Sequence, residues 1–337
     1  MAVTIKDIAR RLNLSVSTVS YALNEGPKPV SKEVHRRVKR MALELGYRPN
    51  RIAKSLVTRR THTIGVIPVD VEIDILMTPC VHMSLNGIVN AAERLRQDVL
   101  LFTAHDRNLP SEVVADILDG RVDGVVFIAP RPDSPALRNI CQSALPYSII
   151  AADDQHGPCY TVDNESGVRL ALEHLYEMGH RRIAHVTGNM AQADAALRLS
   201  AYQQFMTEKG LPVEACSVFK GDYWRGSGFQ AGLAFADLDR RPTAVFCAND
   251  EMAFGLIEAF QAKGIRTPED VSVVGFDDAP AGNYFSPPLT TVRQPLQAMA
   301  SEALEAVVQQ IETGEAAPGK IYKPELVTRG SSAIIPM

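Results

Sequence analysis

The chain has 337 residues, and its net charge of −4 conceals two parts of opposite charge. Residues 1–60 carry 14 Lys and Arg against 4 Asp and Glu, a net charge of +10, whereas residues 61–337 carry 21 against 35, a net charge of −14. The five cysteines form no Cys-x-x-Cys pair and no run of 18 apolar residues occurs, so composition argues against a zinc or redox motif and a membrane-spanning helix.

The basic segment begins with the pattern of a short helix followed by a tight turn. Thr4 and Asp7 have the spacing of a capping box, in which the two side chains satisfy the first N–H groups of a helix. Residues 13–14 supply the turn. The apolar stripe predicted for this helix consists of Ile5, Ile8, Ala9 and Leu12.

Two further helices are predicted before residue 48. Ser15 is expected to cap the second helix, whose inner face carries Val19 and Leu23. Ser31 is expected to start the third helix and Gly46 to end it. The three apolar stripes would close a small helical core, and two short helices joined by a turn in a basic segment favour DNA binding.

The chain resembles the lactose-repressor (LacI/GalR) family. In the first sixty residues the matching segments are VTIKDIARRLNLSVSTVSYALN, VSKEVHRRVKRMALELGYRPN and RIAKSL. The resemblance continues in HLYEMGHRRIAHVTG, TAVFCANDEMAFGLIEAFQAKGIRTPEDVSVVGFDD and SPPLTTVRQP, and it spans essentially the whole sequence. It implies a transcriptional regulator whose second helix enters the major groove of operator DNA.

Base contacts are implied for Val16, Ser17 and Tyr21. A valine methyl suits the thymine methyl, and a serine hydroxyl suits a base edge or a phosphate. Several family members have an arginine where this chain has Tyr21. A tyrosine cannot make the bidentate contact to guanine that an arginine makes, so the operator half-site of those members does not carry over to this chain. Phosphate contacts are expected from the hydroxyl side chains of four residues: Thr4, Ser15, Thr18 and Ser20. For Thr4 and Ser15 the alternative role is helix capping.

Residues 49–60 read as a linker that holds a short hinge helix. Asn50 is a plausible cap, and Ala53 and Leu56 lie on one face of the predicted helix. A helix this short is marginal in isolation. The resemblance implies that it forms on DNA, where two copies lie in the minor groove and Leu56 wedges between base pairs. The alternative is an ordinary linker leucine that packs on the core.

From residue 61 onward, short apolar strands alternate with helical patterns, which indicates parallel sheets covered on both faces. The length favours two lobes. The predicted fold class is an all-α helix-turn-helix headpiece followed by an α/β core of two doubly wound parallel-sheet lobes, similar to periplasmic binding proteins. The expected divisions are a headpiece at 1–48, a hinge at 49–60, lobe 1 at 61–161 with 291–326, and lobe 2 at 162–290 with 327–337.

Ligands of such sheets bind beyond the carboxyl ends of the strands. There the sequence offers carboxylates, an amide and aromatic rings, a mixture that suits a neutral polyol better than an anion. The candidates from strand ends are Asp153, Asp154, Asp222, Tyr223, Trp224, Asn249, Asp250, Asp277 and Asp278. The resemblance carries over Arg198 as a bidentate anchor, Asn249 and Asp277 as contacts, and Tyr223 as a packing ring.

Several alternatives remain at these positions. Asp250 and Asp278 are expected to cap helices rather than to bind ligand. Either Asp153 or Asp154 is expected to contact the ligand, and the sequence does not decide between them. Trp224 suits a core or surface role as well as ligand contact. The apolar segment Val69–Leu85 suits either the cleft or a subunit interface.

The sequence contains no phosphate-binding loop, dinucleotide fingerprint or His-Glu-x-x-His motif, so we expect neither an enzyme nor a cofactor. His174, His180 and His185 are expected to be structural rather than metal ligands. Helix-turn-helix proteins normally read two half-sites of an operator through a two-fold dimer, which predicts a homodimer. The absence of a signal-peptide pattern predicts a cytoplasmic protein. The predicted function is a repressor of a carbohydrate operon, released from a palindromic operator by a sugar-like effector; the alternative is a purine- or nucleoside-responsive, co-repressed regulator.

Overall fold

The computed structural model describes residues 3–24, 30–48, 55, 58, 60–68, 78–102, 115–152, 157–214 and 217–335. The chain divides into two compact units, Met1–Thr61 and His62–Met337, which are described separately.

The first unit contains three helices: α1 (Ile5–Leu12), α2 (Val16–Asn24) and α3 (Lys32–Glu44). The Asp7 carboxylate accepts hydrogen bonds from the backbone N–H and the hydroxyl of Thr4, at 3.0 and 2.7 Å. Asn13 ends α1 in the left-handed region, with φ 52°, which allows the tight turn into α2. These contacts form the helix start and turn that the sequence predicts.

The caps of the other two helices also lie where they are predicted. The Ser15 hydroxyl accepts from the backbone N–H of Thr18 at 3.0 Å, and the Ser31 hydroxyl accepts from the N–H of Val34 at 3.3 Å. Each cap satisfies an N–H group that the helix itself leaves unpaired. The three apolar stripes meet in one buried cluster of Ile8, Ala9, Val19, Ala22, Val38 and Ala42.

The second unit is built on two six-stranded sheets. Within the described ranges its strands are β1 (Thr63–Pro68), β2 (Asp98–Leu101), β3 (Gly124–Ile128), β4 (Tyr147–Ile150), β5 (Cys159–Val162), β6 (Ile183–Thr187), β7 (Val218–Lys220), β8 (Ala244–Cys247), β9 (Ser272–Asp277), β10 (Thr290–Arg293), β11 (Lys320–Tyr322) and β12 (Glu325–Val327). The first sheet has the order β11-β5-β4-β3-β1-β2, and the second has the order β12-β10-β9-β8-β6-β7.

The strands of the first sheet pair in parallel, and those of the second do so except for the antiparallel pair β10–β12. Helices cover both sheets: α4 (Pro79–Arg94), α5 (Pro135–Cys141), α6 (Asn164–Glu177), α7 (Ala193–Glu208), α8 (Arg225–Ala236), α9 (Asp250–Ala262) and α10 (Leu296–Thr313). Because both faces are covered, the central strands β3, β6, β8 and β9 are buried along their whole length. The predicted fold class is thereby confirmed.

The chain passes between the sheets at three crossings. The first, at Asp163, joins β5 to α6. The second, at Gln294 and Pro295, joins β10 of the second sheet to α10, which packs on the first sheet. The third, at residues 323–324, joins β11 to β12. The expected boundaries at 290 and 327 are thus displaced by several residues, because β10 and β12 pair with each other inside the second sheet.

Among the helices of the described residues, none combines the length and the apolar character that a bilayer crossing requires.

Candidate functional site

The predicted DNA-contacting side chains of the first unit lie on its surface around the start of α2. Thr4, Ser15, Val16 and Ser17 are exposed, whereas Ser20, Thr18 and Tyr21 are half-buried. The Ser15 and Thr18 hydroxyls are 2.8 Å apart and bond to each other. A helix start with exposed hydroxyl side chains suits a phosphate oxygen. The roles of these residues on DNA stay predictions.

Five candidate contact residues lie outside the residues that the structure describes: Asn50, Ala53 and Leu56 of the hinge, and Asp153 and Asp154 of the cleft. Their roles stay predictions from the sequence.

In the second unit, four predicted ligand contacts meet beyond the carboxyl ends of the second sheet. Tyr223 follows β7, Asn249 follows β8 and Asp277 ends β9, while Arg198 belongs to α7. These residues come from distant parts of the sequence, but carboxyl ends of parallel strands share one edge of a sheet. We call this group, together with Asp194 of α7, the polar cluster.

Arg198 is 3% exposed and is held by protein groups on several sides. Its Nε donates to Oδ1 of Asn164 at 2.8 Å, and its Nη1 donates to the carbonyl oxygen of Ala248 at 2.5 Å. Nη2 lies 3.4 Å from Oδ2 of Asp194, and the guanidinium carbon lies 3.9 Å from the centroid of the Phe276 ring. Because Nε and one N–H of Nη1 already donate to protein groups, a ligand can bind Arg198 through its remaining Nη N–H groups or by replacing one of these partners.

Asp277 is the buried acid of the polar cluster. It is 3% exposed, and its Oδ1 accepts a hydrogen bond from Nε2 of Gln294 at 2.6 Å. Burial, followed by the nearby Asp250 carboxyl, raises its pKa well above the ordinary value. A carboxyl group that keeps its proton can donate to a ligand hydroxyl as well as accept from it. Its φ of 140° is a strained backbone value of the kind found at functional sites.

Tyr223 and Asn249 support each other. The Tyr223 hydroxyl donates to Oδ2 of Asp194 at 2.8 Å, and its ring lies so close over Gly188 that a Cβ there would come within 1.9 Å of the ring. The Asn249 amide donates to the carbonyl oxygen of Tyr223 at 2.9 Å and caps α9 by accepting from the N–H of Met252 at 3.0 Å. Both polar ends of Asn249 are therefore engaged in holding the ring and the helix in place.

The two acids expected to be helix caps have other roles, so that expectation is wrong. Asp250 is fully buried and accepts from the hydroxyl of Thr291 at 2.5 Å and from the N–H of Ala279 at 2.7 Å. Asp278 accepts from Nε of Arg293 at 2.7 Å. The cap of α9 is the residue before Asp250, because only that side chain reaches the N–H groups of the first turn.

The other side chains considered for binding hold local structure. His180 lies 3.1 Å from the hydroxyl of Thr243 and 3.0 Å from that of Ser272, which ties the turn after α6 to the sheet. Asp222 accepts from the backbone N–H of Trp224 at 2.8 Å and shapes the turn before α8. In the described part of the chain, no group of three or more His, Cys, Asp or Glu residues is arranged to hold a metal ion.

Sequence reasoning missed Asp194 and Cys80. Asp194 lies one helical turn before Arg198, a spacing at which opposite charges meet, so the i,i+4 pattern could have identified it. Cys80 lies in the first turn of α4, where burial, followed by the charges of Asp277 and Asp194, raises the pKa of its thiol. The start of α4, within the segment Val69–Leu85, is therefore close to the polar cluster, whereas residues 69–77 lie outside the described residues.

The buried Asp250 makes stability depend on pH. Burial raises its pKa from 3.8 to about 7, so the folded protein keeps a proton that the unfolded chain releases between these values. Its stabilising contribution is complete below pH 4 and is lost as the pH rises to about 7. We expect Asp250→Asn to remove this loss, since its amide oxygen can accept from the N–H of Ala279 and its amide nitrogen can donate to the hydroxyl oxygen of Thr291. Between pH 5 and pH 8 the wild type should lose about 2–3 kcal/mol more unfolding free energy than the variant in urea denaturation.

The matched control is Asp270→Asn, since the Arg266 guanidinium lowers the pKa of exposed Asp270 to about 2 and this residue titrates below the measured range. Parallel pH profiles for the wild type and Asp250→Asn would contradict the assignment.

Comparison with known proteins places these features in a family. Residues 4–50 match the model of "Bacterial regulatory proteins, lacI family", and residues 172–332 match that of "Periplasmic binding protein-like domain". Catabolite control protein A of Priestia megaterium is 31% identical over 314 residues, which cover 92% of each chain.

Two solved structures are similar over nearly the whole chain. The lac repressor dimer bound to operator and the anti-inducer ONPF has a TM-score of 0.88 and 27% identity, and the match covers 99% of this chain and 100% of that one. The complex of the transcriptional regulator CelR with cellobiose has a TM-score of 0.76 and 27% identity, covering 98% and 100%. This chain therefore belongs to the lacI family of bacterial regulatory proteins.

Proposed function

We propose that this protein is a transcriptional repressor that binds a two-fold symmetric operator as a homodimer and is released from it by a small neutral effector. The observation that carries the proposal is the end-to-end similarity to a repressor dimer bound to both operator and anti-inducer. The basic first unit would supply the DNA contacts, and the polar cluster would supply the effector contacts. We assign the protein no catalytic role and place its action in the cytoplasm, where operator DNA lies.

The charges of the polar cluster support an uncharged effector. Asp194 and Asp277 both lie near the single guanidinium of Arg198, which already donates to protein groups. A phosphate or carboxylate would have to approach the Asp194 carboxylate, and within the described part of the polar cluster the Arg198 guanidinium already serves protein groups, so its negative charge would be poorly compensated. Sugar hydroxyls can pair with carboxyl, amide and guanidinium groups alike, so we favour a neutral saccharide and regulation of a carbohydrate operon.

Control of DNA binding would act through the lobes and the hinge. An effector that favours one relative orientation of the lobes shifts the population toward it, and residues 49–60 would then order on DNA or separate from it. A coupling free energy of about 1–3 kcal/mol would change operator affinity about 5–150-fold.

A ligand panel tests the effector class. The purified protein is screened by thermal shift with cellobiose, lactose, ribose, adenosine and hypoxanthine, and with glucose 6-phosphate as the anionic comparison. DNA duplexes that bind the protein are selected from a random pool. The affinity of the protein for these duplexes is then measured with and without each compound that raises the melting temperature. We expect a neutral saccharide to raise the melting temperature and to weaken binding to the selected duplex.

Other outcomes are equally informative. A response to adenosine or hypoxanthine that strengthens DNA binding would favour the nucleoside-responsive, co-repressed alternative. A response to glucose 6-phosphate alone would contradict the charge argument, and failure to select any two-fold symmetric duplex would contradict the proposed repressor.

A further inference from the structure

Two buried amide side chains lie on the segments that join the lobes. Asn164 follows the first crossing and is 6% exposed, and Gln294 forms the second crossing and is 4% exposed. The Asn164 amide oxygen accepts from Nε of Arg198 at 2.8 Å. The Gln294 amide nitrogen donates to Oδ1 of Asp277 at 2.6 Å. Each amide therefore connects one crossing to one member of the polar cluster.

The crossings are also tied to one another. The backbone N–H of Asp163 donates to the carbonyl oxygen of Tyr322 at 2.9 Å, which joins the first crossing to the third. The strand pair β10–β12 aligns Arg293 with Glu325, which joins the second to the third. The three crossings are therefore connected by backbone hydrogen bonds between neighbouring segments.

Burial makes these two amide contacts obligatory. An amide this far from water must keep a protein partner, since a buried polar group without one is strongly disfavoured. If Arg198 or Asp277 turns toward another group, Asn164 or Gln294 must turn with it or change the backbone of its crossing.

We propose that Asn164 and Gln294 are positioning residues that set the relative orientation of the two lobes through Arg198 and Asp277. The inference rests on the proposed function in one respect, namely that the effector acts at the polar cluster. The orientation itself can be measured without any effector.

The same crossings supply a control contact. Arg293 makes ion pairs with Asp278 at 2.7 Å and with Glu325 at 3.1 Å, and the Glu325 side chain is 70% exposed. The Arg293–Glu325 ion pair is exposed and should contribute little. Arg293 is the strand neighbour of Asp277, but its side chain pairs with Asp278 and Glu325. A variant of Glu325 therefore perturbs a crossing while it leaves the polar cluster intact.

The experiment measures the distance between the lobes in the full-length protein. Spin labels are attached through a ketone amino acid at Asn139 of α5 and Gln203 of α7, both exposed. Labelled chains are diluted with unlabelled chains, so that double electron–electron resonance reads distances within one chain. The variants Asn164→Leu and Gln294→Met keep side-chain volume and remove the amide.

We expect both variants to shift the mean distance or to broaden its distribution about twofold, since a second orientation becomes populated. Asn164→Asp retains an oxygen that accepts from Arg198 and should restore the wild-type distribution, which a defect of packing alone would not do. Glu325→Gln should leave the distribution unchanged. Thermal unfolding of each variant establishes that it is folded at the temperature of the measurement.

Wild-type distributions in both Asn164→Leu and Gln294→Met would overturn the proposal, as would an equal change in Glu325→Gln. If the chosen pair of variants fails to fold, Gln294→Ala and Asn164→Ala replace them, since they remove the amides without adding a polar group, with the same outcomes. Failure of the proposed repressor function would instead be seen as an absence of operator selection, which this distance measurement does not involve.

Discussion

Removal of residues 1–61 is expected to abolish specific operator binding and to leave the remaining unit folded. The unit His62–Met337 has its own sheets and its own buried clusters, so its stability does not depend on the headpiece. The removed segment carries the whole basic excess, since residues 61–337 have a net charge of −14. Specific protein–DNA binding exceeds non-specific binding by about 10³–10⁷-fold, and the truncated chain should lose at least the lower of these factors.

The salt dependence gives this prediction a second, independent readout. If the full-length dimer contacts about 6–10 phosphates, its affinity for a selected duplex should fall about 10³–10⁵-fold between roughly 50 and 200 mM salt. The acidic truncated unit should bind no tighter at low salt, and it should keep the thermal response to the compound identified in the ligand panel. Undiminished DNA retention by the truncated chain in a filter-binding titration would contradict the assignment of DNA binding to the first unit.

The sequence predicts the regular interior of the fold well, for a physical reason. Strands such as Val125–Ile128 and Ile183–Val186 are buried on both faces, so their apolar character is continuous and visible without a partner. The three headpiece helices are equally clear because capping residues and apolar stripes agree.

Short strands at the sheet margins escape sequence reasoning. β7, β11 and β12 have three residues each and include exposed or half-buried polar positions, and each is a strand only because a neighbour supplies hydrogen bonds. The displaced lobe boundaries have the same cause. The pairing of Thr291 with Val327 is a tertiary contact that neither segment encodes alone.

The candidate site divides in a similar way. Asn249 and Asp277 could be named from the sequence, because they follow predicted strands and the ends of parallel strands converge. Tyr223 follows β7, which escapes sequence reasoning, and its candidacy depends on the family resemblance. The roles of Asn164 and Gln294 could not, since an amide beside a crossing becomes informative only when its partner is known. The fully buried position of Asp250 likewise depends on Gly275, where a Cβ would lie 2.2 Å from its Oδ1.

Replacement of Arg198 by methionine is expected to abolish the effector response and also to destabilise the protein. The variant keeps much of the side-chain length but leaves Asn164 and the Ala248 carbonyl without a donor, and it leaves Asp194 without its ion-pair partner. Loss of one partner from such a buried network costs about 3 kcal/mol. Urea denaturation should show this loss, and operator binding with and without the panel compound should become equal.

The matched control is Arg169→Met on α6. Arg169 forms a two-pronged pair with Glu208 at 2.9 and 3.1 Å, but both side chains are about 40% exposed, so the pair should contribute below about 1 kcal/mol. Operator affinity without effector shows that each variant is folded and intact. A response that persists in Arg198→Met would remove Arg198 from the effector site, and equal stability losses in the two variants would mean that its buried contacts contribute no more than a surface pair.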